Sequence, residues 1–299
     1  MTAIRETATK DGAKSGRNLG YRGVRDRVLA VVFVLSVLIG IAGLLTLLIK
    51  TLVDGLPWLD WQFVSSYSSR RPKDAGILAA LAGSVWMLGL TAVFTIPVGV
   101  GTAVYLEEFA GRSRFSRLVQ LNISNLAGVP SIIYGLLGLA AFVYFLGLGR
   151  SVLAGALTMT LLVLPVVIIA SQEAIRAVPK SYRDAAFALG STRWQVVKTV
   201  VLPQALPGIM SGIILALSRA IGESAPILVI SSLVFLTFVP TSPGDRFTVL
   251  PLQIFTWLSQ PQRDFKGIAS AAIIVLLIVL LSMNAVAIYI RNKYQRRGE

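Results

Sequence analysis

The sequence predicts an all-α membrane protein with six spanning helices. Of its 299 residues, 55% are hydrophobic and only 14% are charged, and the mean hydropathy is +0.74. A soluble domain carries roughly 25% charged residues, so this composition is typical of a chain surrounded by lipid. Several stretches also continue without charge for the roughly 20 residues that a helix needs to cross a bilayer.

Five stretches are free of charge for long enough to span. They are residues 28–49, 75–106, 118–149, 151–172 and 267–290. A sixth stretch, about 205–236, has the required length and hydrophobicity but contains Arg219 and Glu223. These six stretches define the predicted spans.

The positive charges predict the orientation of the spans, because cytoplasmic loops keep an excess of Lys and Arg. If the N-terminus is cytoplasmic, the inner segments carry 19 Lys and Arg and the outer loops carry eight. Both termini are therefore expected in the cytoplasm of a multi-pass plasma (inner) membrane protein. The formal net charge of +14 is an orientation signal on this interpretation, and it does not indicate a nucleic-acid partner.

Composition also predicts how the chain is organised. Residues 1–27 have too few apolar groups to pack and are expected to form a basic, partly disordered, uncleaved tail. The predicted segments that follow are a first span at 28–53, a core at 75–290 with a polar loop at 172–204, and a basic tail at 291–299.

The absence of certain residues excludes several kinds of chemistry. The chain has no Cys and no His, which are the commonest ligands of zinc, haem and iron–sulfur clusters. It also has no Gly-Lys dipeptide, so it lacks the loop that cradles nucleotide phosphates. We expect no catalytic residue, no metal site and no cofactor, and we expect any ATP hydrolysis to take place on another chain.

The loop at 172–204 reads as two short helices. Ser181 is a candidate N-cap with Asp184 three residues later, and Gly190 suits the left-handed position that ends a helix. Together they predict a helix near 182–189. Ser191 is a candidate cap for the next helix, and Pro203 either stops that helix or marks its junction with the membrane segment.

The first of these helices is too short to span a membrane, yet it is rich in apolar groups. They are Tyr182, Ala185, Ala186, Phe187 and Leu189. Such a surface either docks into a groove of another protein or packs beneath its own bundle. Spacing alone does not separate these two alternatives.

The same loop resembles the EAA loop of bacterial ABC importer permeases. The matching pattern is Asp184-Ala185-Ala186, three residues, Gly190, nine residues, and then Val200-x-Leu202-Pro203. Asp replaces the usual Glu and Val replaces the usual Ile, so charge and branched shape are preserved.

Two further motifs resemble the phosphate (Pst) branch of these permeases. They are "GVPSIIYGLLGL" at 128–139 and "RAIGESAPIL" at 219–228, and the Ala-Pro after the acid is similar to the A-type permease rather than its C-type partner. The resemblance implies a type I importer bundle whose substrate is phosphate. It also implies a C-type second permease, two copies of a cytoplasmic ATPase and an external phosphate-binding protein.

The resemblance implies which residues couple the chain to the ATPase. They are Tyr182, Asp184, Ala185, Ala186, Phe187, Gly190, Leu202 and Pro203. In this family the loop is the coupling helix seated in a cleft of the ATPase, which favours docking over packing.

Arg219 and Glu223 are the charged residues of the sixth stretch. Charged groups at a bilayer centre cost roughly 2.5–3.5 kcal/mol each, so they usually pair or line a path. Residues four apart lie on one face of a helix, so these two are able to pair. A guanidinium also suits bidentate contact with phosphate, so an oxyanion can replace Glu223 as its partner. The alternative is an ion pair that only joins helices.

Ser131 and Tyr134 belong to a second candidate path segment. Pro130 is expected to kink its helix and to leave a backbone carbonyl free near both hydroxyls. Broken helices at membrane depth are tolerated where they line a cavity. A glycine-rich seam between helices is an equal alternative.

Taken with the resemblance, the sequence implies a transport subunit that moves inorganic phosphate by alternating access. Two alternatives remain open. One is an ABC permease for another oxyanion, such as sulfate or molybdate. The other is a self-sufficient secondary transporter or channel, which the EAA-like loop disfavours.

Overall fold

A computed structural model describes the backbone of residues 3–111, 113–231 and 235–295, with side chains from residue 26 to residue 293 of these ranges. The chain divides into two compact units, Met1–Val53 and Asp54–Glu299. Every contact described below lies within the second unit.

The described residues form twelve α-helices. They are α1 (Ala3–Gly55), α2 (Trp61–Ser65), α3 (Leu78–Val104), α4 (Arg114–Ala127), α5 (Ser131–Gly138), α6 (Val152–Arg176), α7 (Lys180–Ala188), α8 (Arg193–Val196), α9 (Leu202–Gly222), α10 (Ala225–Ser231), α11 (Leu250–Leu258) and α12 (Asp264–Gln295). Short 3₁₀ turns occur at Leu56–Trp58 and Pro72–Asp74. Wider π-helical turns at Tyr105–Phe109, Leu139–Phe145 and Val197–Val201 extend α3 and α5 and join α8 to α9.

The predicted fold class is confirmed, because the described residues are almost entirely helical. Five helices are long and apolar enough to cross a membrane: Asp26–Trp58, Leu78–Phe109, Val152–Arg176, Arg193–Gly222 and Asp264–Lys293. The pair Arg114–Ala127 and Ser131–Phe145 makes a sixth candidate span if its two bent parts are counted as one.

Helix α1 contains the first candidate span. Its backbone is helical from Ala3, whereas the sequence predicted a partly disordered tail before the span. The side chains of residues 1–25 lie outside the described residues, so the prediction for the tail stays a prediction. From Asp26 onward the α1 side chains of the first unit are mostly exposed, as expected for apolar groups that face lipid or a partner.

Helix α6 is the centre of the second unit and packs against α3, α5 and α9. Its sequence is apolar on all sides, and residues including Val152, Met159 and Val163 are completely buried. A helix that is hydrophobic all round is typical of the interior of a membrane bundle. Helix α6 is therefore the core against which α3, α5 and α9 are positioned.

Small residues bring α6 and α9 unusually close together. A Cβ added at Gly208 would lie 2.7 Å from the Cβ of Ala174, and one added at Gly212 would lie 2.4 Å from that of Ala170. These distances leave no room for any larger side chain. This seam of small residues is the kind of contact that joins helices in membranes, where apolar burial gives no driving force.

Candidate functional site

The sequence motif at 128–135 forms a sharp break between α4 and α5. The two helices are bent by 108° at Gly128–Pro130. Pro130 precedes the first residue of α5 with an extended ψ of 136°. Proline has no backbone N–H to donate, so it cannot continue the hydrogen bonding of α4. The predicted kink is therefore confirmed, but it divides the stretch 118–149 into two helices.

Tyr134 stabilises this break. Its ring is buried, with 3% exposure, and its hydroxyl donates a 2.7 Å hydrogen bond to the carbonyl of Leu126 in the last turn of α4. The same carbonyl also accepts from the amide of Val129 at 3.1 Å. The sequence predicted a free carbonyl near Tyr134, whereas in the structure the carbonyl of Leu126 has these two donors. Ser131, the first residue of α5, is half-buried.

The sixth predicted span is also divided. Helix α9 ends at Gly222, and Glu223 follows it with φ −77° and ψ 123°, which is extended backbone. The prediction of one helix over 205–236 was wrong, and residues 232–234 lie outside the described residues. Glu223 is beyond the helix rather than on its face. The two charges still pair, at 3.4 Å between Arg219 Nε and Glu223 Oε1.

The two broken spans pack against each other. A Cβ added at Gly135 on α5 would lie 2.8 Å from the Cα of Pro226 on α10, so the backbones approach closely there. Tyr134 directly precedes Gly135 and Glu223 lies three residues before Pro226, so this contact places the two breaks near each other. The structure thus brings together three of the predicted path residues, Arg219, Glu223 and Tyr134.

The Arg219 side chain is 48% exposed and that of Glu223 is 21% exposed. On the same helix Leu215, four residues earlier, is 67% exposed, so the two form an open strip on one face. An exposed guanidinium is expensive where it faces lipid. This face of α9 therefore belongs against water or another protein.

A polar contact beside Arg219 was not predicted from the sequence. Ser218 donates a 2.5 Å hydrogen bond to Asn284 Oδ1 on α12. Asn284 lies within the stretch 267–290, which was predicted from its lack of charge. Because Asn is neutral, that criterion does not reveal its polar contact. This bond joins α9 and α12 next to the ion pair.

The polar loop after α6 forms two short helices, as predicted, but their caps differ. Helix α7 begins at Lys180, directly after Pro179, and no side chain caps it. The prediction that Ser181 is the cap was wrong, because the extended Pro179 already sets the helix start. Thr192 rather than Ser191 caps α8, in a capping box with Gln195. Pro203 lies in the first turn of α9, at the junction with the membrane segment, and does not stop the helix.

Gly190 ends α7 in a left-handed conformation with φ +80°, as predicted. The amide of Gly190 donates to Phe187 O, and that of Ser191 donates to Ala186 O. This pair of bonds is the Schellman arrangement that closes a helix C-terminus. Gly190 therefore fixes the angle between α7 and α8.

Large apolar groups are exposed on this loop. The exposed fractions are 53% for Tyr182, 46% for Phe187, 88% for Leu189 and 58% for Trp194. Asp184, Ala185 and Pro203 are also exposed, whereas Ala186 and Leu202 are half-buried against the bundle core. Trp194 was not singled out from the sequence. We name the surface formed by Tyr182, Phe187, Leu189 and Trp194 the α7 surface. Its exposed aromatic groups favour docking onto another protein over packing beneath the bundle.

Arg183 fastens α7 to the bundle and was missed by sequence reasoning. It donates to the carbonyl of Ile175 in the last turn of α6 and to that of Val178, two residues beyond the helix. It also pairs with Glu108 at 3.0 Å, where both side chains are less than one-fifth exposed. Its partner lies 75 residues earlier, so no local pattern indicates the pair.

A second polar cluster lies beside it. Arg176 contacts both carboxylate oxygens of Glu107, at 2.6 and 2.9 Å. Gln172, which is 2% exposed, donates to Glu107 and exchanges two amide hydrogen bonds with Gln120 on α4. The cluster of Glu107, Gln120, Gln172 and Arg176, named the α3–α4–α6 joint below, connects the ends of α3 and α6 to the middle of α4.

The opposite end of α6 is held by a polar loop. The amides of Val152 and Leu153 donate to the carbonyls of Asp245 and Pro243. The backbone amides of Thr241 and Ser242 donate to the Asp245 carboxylate and lower its pKa. Arg150 donates to two carbonyls at the end of α10. Residues 243–245 therefore hold the start of α6, and Arg150, just before α6, holds the end of α10.

Solved structures share this fold. The chain superposes with a TM-score of 0.66 on the bacterial alginate ABC transporter in complex with its alginate pentasaccharide-bound periplasmic protein, covering 88% of this chain and 93% of that chain at 17% identity. It also matches the inward-facing MetNI methionine ABC transporter with a TM-score of 0.60, covering 71% of this chain and 93% of that chain at 16% identity.

Curated relatives are similar over most of their length. The chain is 34% identical over 278 residues to the probable ABC transporter permease protein YqgI of Bacillus subtilis (strain 168), covering 89% of this chain and 95% of the relative. It is 39% identical over 223 residues to the phosphate transport system permease protein PstA 1 of Mycobacterium tuberculosis (strain CDC 1551 / Oshkosh), covering 74% and 72%.

These relatives confirm the resemblance predicted from the motifs. Residues 95–296 match the family model described as the binding-protein-dependent transport system inner membrane component. This range contains both helix breaks, the α7 surface and the α3–α4–α6 joint. The chain is an integral membrane protein that belongs to this family of ABC importer permeases.

Proposed function

We propose that this chain is the A-type membrane subunit of an ATP-driven importer for inorganic phosphate. The observation that carries the proposal is the half-exposed Arg219, which lies between two helix breaks in an otherwise apolar region. The 39% identity to a phosphate transport system permease supports phosphate as the substrate.

Arg219 is suited to receive an oxyanion. Its guanidinium offers a planar set of donors that matches phosphate, and it stays charged where solvent is scarce. Only Nε contacts Glu223 in the described ion pair, so the terminal nitrogens remain available to another acceptor. Glu223 holds the arginine when the path is empty and repels the anion from a second position.

Ser131 and Tyr134 complete the proposed path. Ser131 begins α5 at the break, and its neutral hydroxyl can guide an anion without trapping it. Tyr134 already donates to Leu126, so its contribution is to hold the break open in its bent form. Breaks of this kind occur at membrane depth where the backbone lines a cavity.

A second permease of the C type closes the path. The strip of Leu215 and Arg219 needs a partner or water, and the exposed apolar residues of α5, which include Ile133 and Leu136, offer a surface to the same partner. The path then lies between two permeases, and alternating access requires both.

The α7 surface docks into a cytoplasmic ATPase, present in two copies, one for each permease. Its exposed aromatic groups anchor the contact, and Asp184, Ala185, Ala186 and Gly190 set its shape, while Leu202 and Pro203 connect it to α9. ATP binding draws the two α7 surfaces together and opens the path outward. In this orientation both termini are cytoplasmic, and an external phosphate-binding protein delivers the anion from the opposite side.

Reconstitution tests this proposal. The chain should be purified with its C-type partner and ATPase and placed in vesicles with the binding protein. We expect uptake of labelled phosphate that requires ATP, together with phosphate-stimulated ATP hydrolysis. Excess unlabelled sulfate or molybdate should not compete. Competition by either anion would favour the other-oxyanion alternative, and uptake without any ATPase would favour a secondary transporter or channel.

A further inference from the structure

We propose that the α3–α4–α6 joint transmits movement of the α7 surface to the helix break beside Arg219. The proposal rests on the proposed function, because it assumes that an ATPase moves α7. It assigns a coupling role to the amide pair Gln120–Gln172, which lies outside both the path and the α7 surface.

The first link connects α7 to α3. Arg183 of α7 pairs with Glu108, and Arg176 of α6 pairs with Glu107. Both glutamates lie in the π-helical turn at the end of α3, Tyr105–Phe109. Neighbouring residues of a helix point in different directions, so Glu107 and Glu108 in one turn are able to pair with two different arginines. Arg183 also holds the carbonyl of Ile175 in α6 and that of Val178 just beyond it, so we expect tilting of α7 to pull on the ends of α3 and α6.

The second link connects this end to α4. Gln172 uses both of its amide hydrogens, one on Glu107 and one on Gln120, and its oxygen accepts from Gln120. The donor–acceptor distances to Gln120 are 3.3 and 2.9 Å. All three of these polar contacts are made at a residue that is 2% exposed. Gln172 is the buried member of this network, whereas Gln120 is half-buried and Arg176 is half-exposed. Displacing Gln120 would leave the Gln172 amide without these partners away from water, so the pair resists displacement.

The third link connects α4 to the break. From Gln120 the helix continues for two turns to Ala127, and the chain then bends by 108° into α5. Tyr134 ties the two sides of the bend together at Leu126. The route from α7 to the neighbourhood of Arg219 thus consists of helices joined by named side-chain contacts.

The variant Gln120→Leu tests the joint, because it removes both amide bonds to Gln172 while preserving much of the volume. The matched control is Asn122→Leu on the same helix, since Asn122 bonds only within α4, to Leu118 O. We expect the Gln120 variant to assemble and hydrolyse ATP, but to move several-fold less phosphate per ATP. The Asn122 variant should keep the wild-type ratio. An unchanged ratio in the Gln120 variant would overturn the proposal.

A second variant protects the test against loss of folding. Gln120→Asn keeps the amide one carbon shorter, so we expect an intermediate phosphate-to-ATP ratio. A defect equal to that of Gln120→Leu in assembly and thermal stability, with a normal ratio in the complex that does form, would assign the pair a structural role and refute coupling.

A distance measurement separates this inference from the proposed substrate. The chain has no cysteine, so an introduced cysteine is its only site for a spin label. We choose Leu118→Cys on α4 and Ser181→Cys on α7, both of which are exposed and lie outside the named docking residues. The label separation should be the same with and without trapped ATP, and it should broaden with Gln120→Leu. If the distance between the two labels changes with ATP in a chain that is otherwise wild type, α4 and α7 do not move together, and the coupling role of the joint is refuted. Failure of phosphate uptake with an unchanged separation would refute only the substrate.

Discussion

The hydroxyl of Tyr134 donates a 2.7 Å hydrogen bond to the backbone carbonyl of Leu126, across the break between α4 and α5. One side chain therefore sets the bend of a span that borders Arg219. This contact makes Tyr134 a positioning residue, and it separates the role of its hydroxyl from direct contact with an anion.

Tyr134→Phe should keep the ring in place and remove this bond. We expect a loss of roughly 1 kcal/mol in stability, the typical net value of one hydrogen bond. The thermal midpoint of the purified complex measures it. Phosphate uptake should fall while the apparent affinity for phosphate changes little. A large loss of affinity with normal stability would instead indicate direct anion contact.

Arg219→Gln should abolish phosphate uptake in a complex that still assembles, because both the charge and the planar set of donors are lost. Arg219→Lys should be partly active, since a point charge replaces bidentate recognition. Labelled uptake and co-purification of the subunits are the two measurements.

The double variant Arg219→Gln with Glu223→Gln tests the alternative of a structural ion pair. Breaking a buried pair costs about 3–5 kcal/mol, and the half-exposed Arg219 should cost less. If the pair only joins structural elements, removing both charges restores assembly and uptake together. We expect assembly without uptake, and recovered phosphate uptake would refute the anion contact.

Gly190→Val should weaken attachment of the ATPase. No atom lies within 4 Å of a Cβ added at Gly190, so the effect comes from backbone strain at φ +80° rather than from a clash. The left-handed conformation costs roughly 1–2 kcal/mol for a residue with a Cβ. Gly190→Asn is the matched control, because Asn tolerates this conformation. Equal co-purification of the ATPase with both variants would contradict the coupling role.

Tyr182→Ala combined with Phe187→Ala should also reduce ATPase binding, by several kcal/mol at most, as loss of anchor residues does. The bundle should stay folded, because both side chains are about half exposed. Trp61→Ala is the control. This aromatic residue is 82% exposed, and it begins α2, which is far from α7 in sequence. Aggregation of the double variant in detergent would support packing beneath the bundle.

Asp245→Asn should lower thermal stability at neutral pH and have little effect in acid. The folded-state pKa of Asp245 is lowered by the amides of Thr241 and Ser242. The carboxylate therefore contributes stability above its unfolded pKa of about 3.9, and this contribution is lost as the pH falls through the lower folded value. Melting midpoints of the two proteins should differ at neutral pH and converge below pH ~4. A difference between the melting midpoints that grows in acid would contradict the proposed contribution of the Asp245 carboxylate.

Patterns within a short stretch predicted much of this molecule. The charge-free stretches revealed the spans, Gly190 revealed its left-handed turn, and Pro130 revealed a kink, because each depends on neighbours in sequence. The end of α9 at Gly222 was missed, since "RAIGESAP" continues the apolar helical pattern. The pairs Arg183–Glu108 and Gln172–Gln120 were also missed, because 75 and 52 residues separate their members and only the packing of α3, α4 and α6 brings them together.

The seam between Gly208, Gly212 and the alanines of α6 determines where this protein is able to change shape. An added Cβ would already lie within 2.4 to 2.7 Å of a neighbour, so α6 and α9 cannot approach more closely, and their interlocked small residues resist sliding at this depth. We therefore expect the two helices to move as a unit. The bends at Gly128–Pro130 and Glu223 are then the places where we expect the membrane helices to flex, and we expect the path to open by a hinge motion about them.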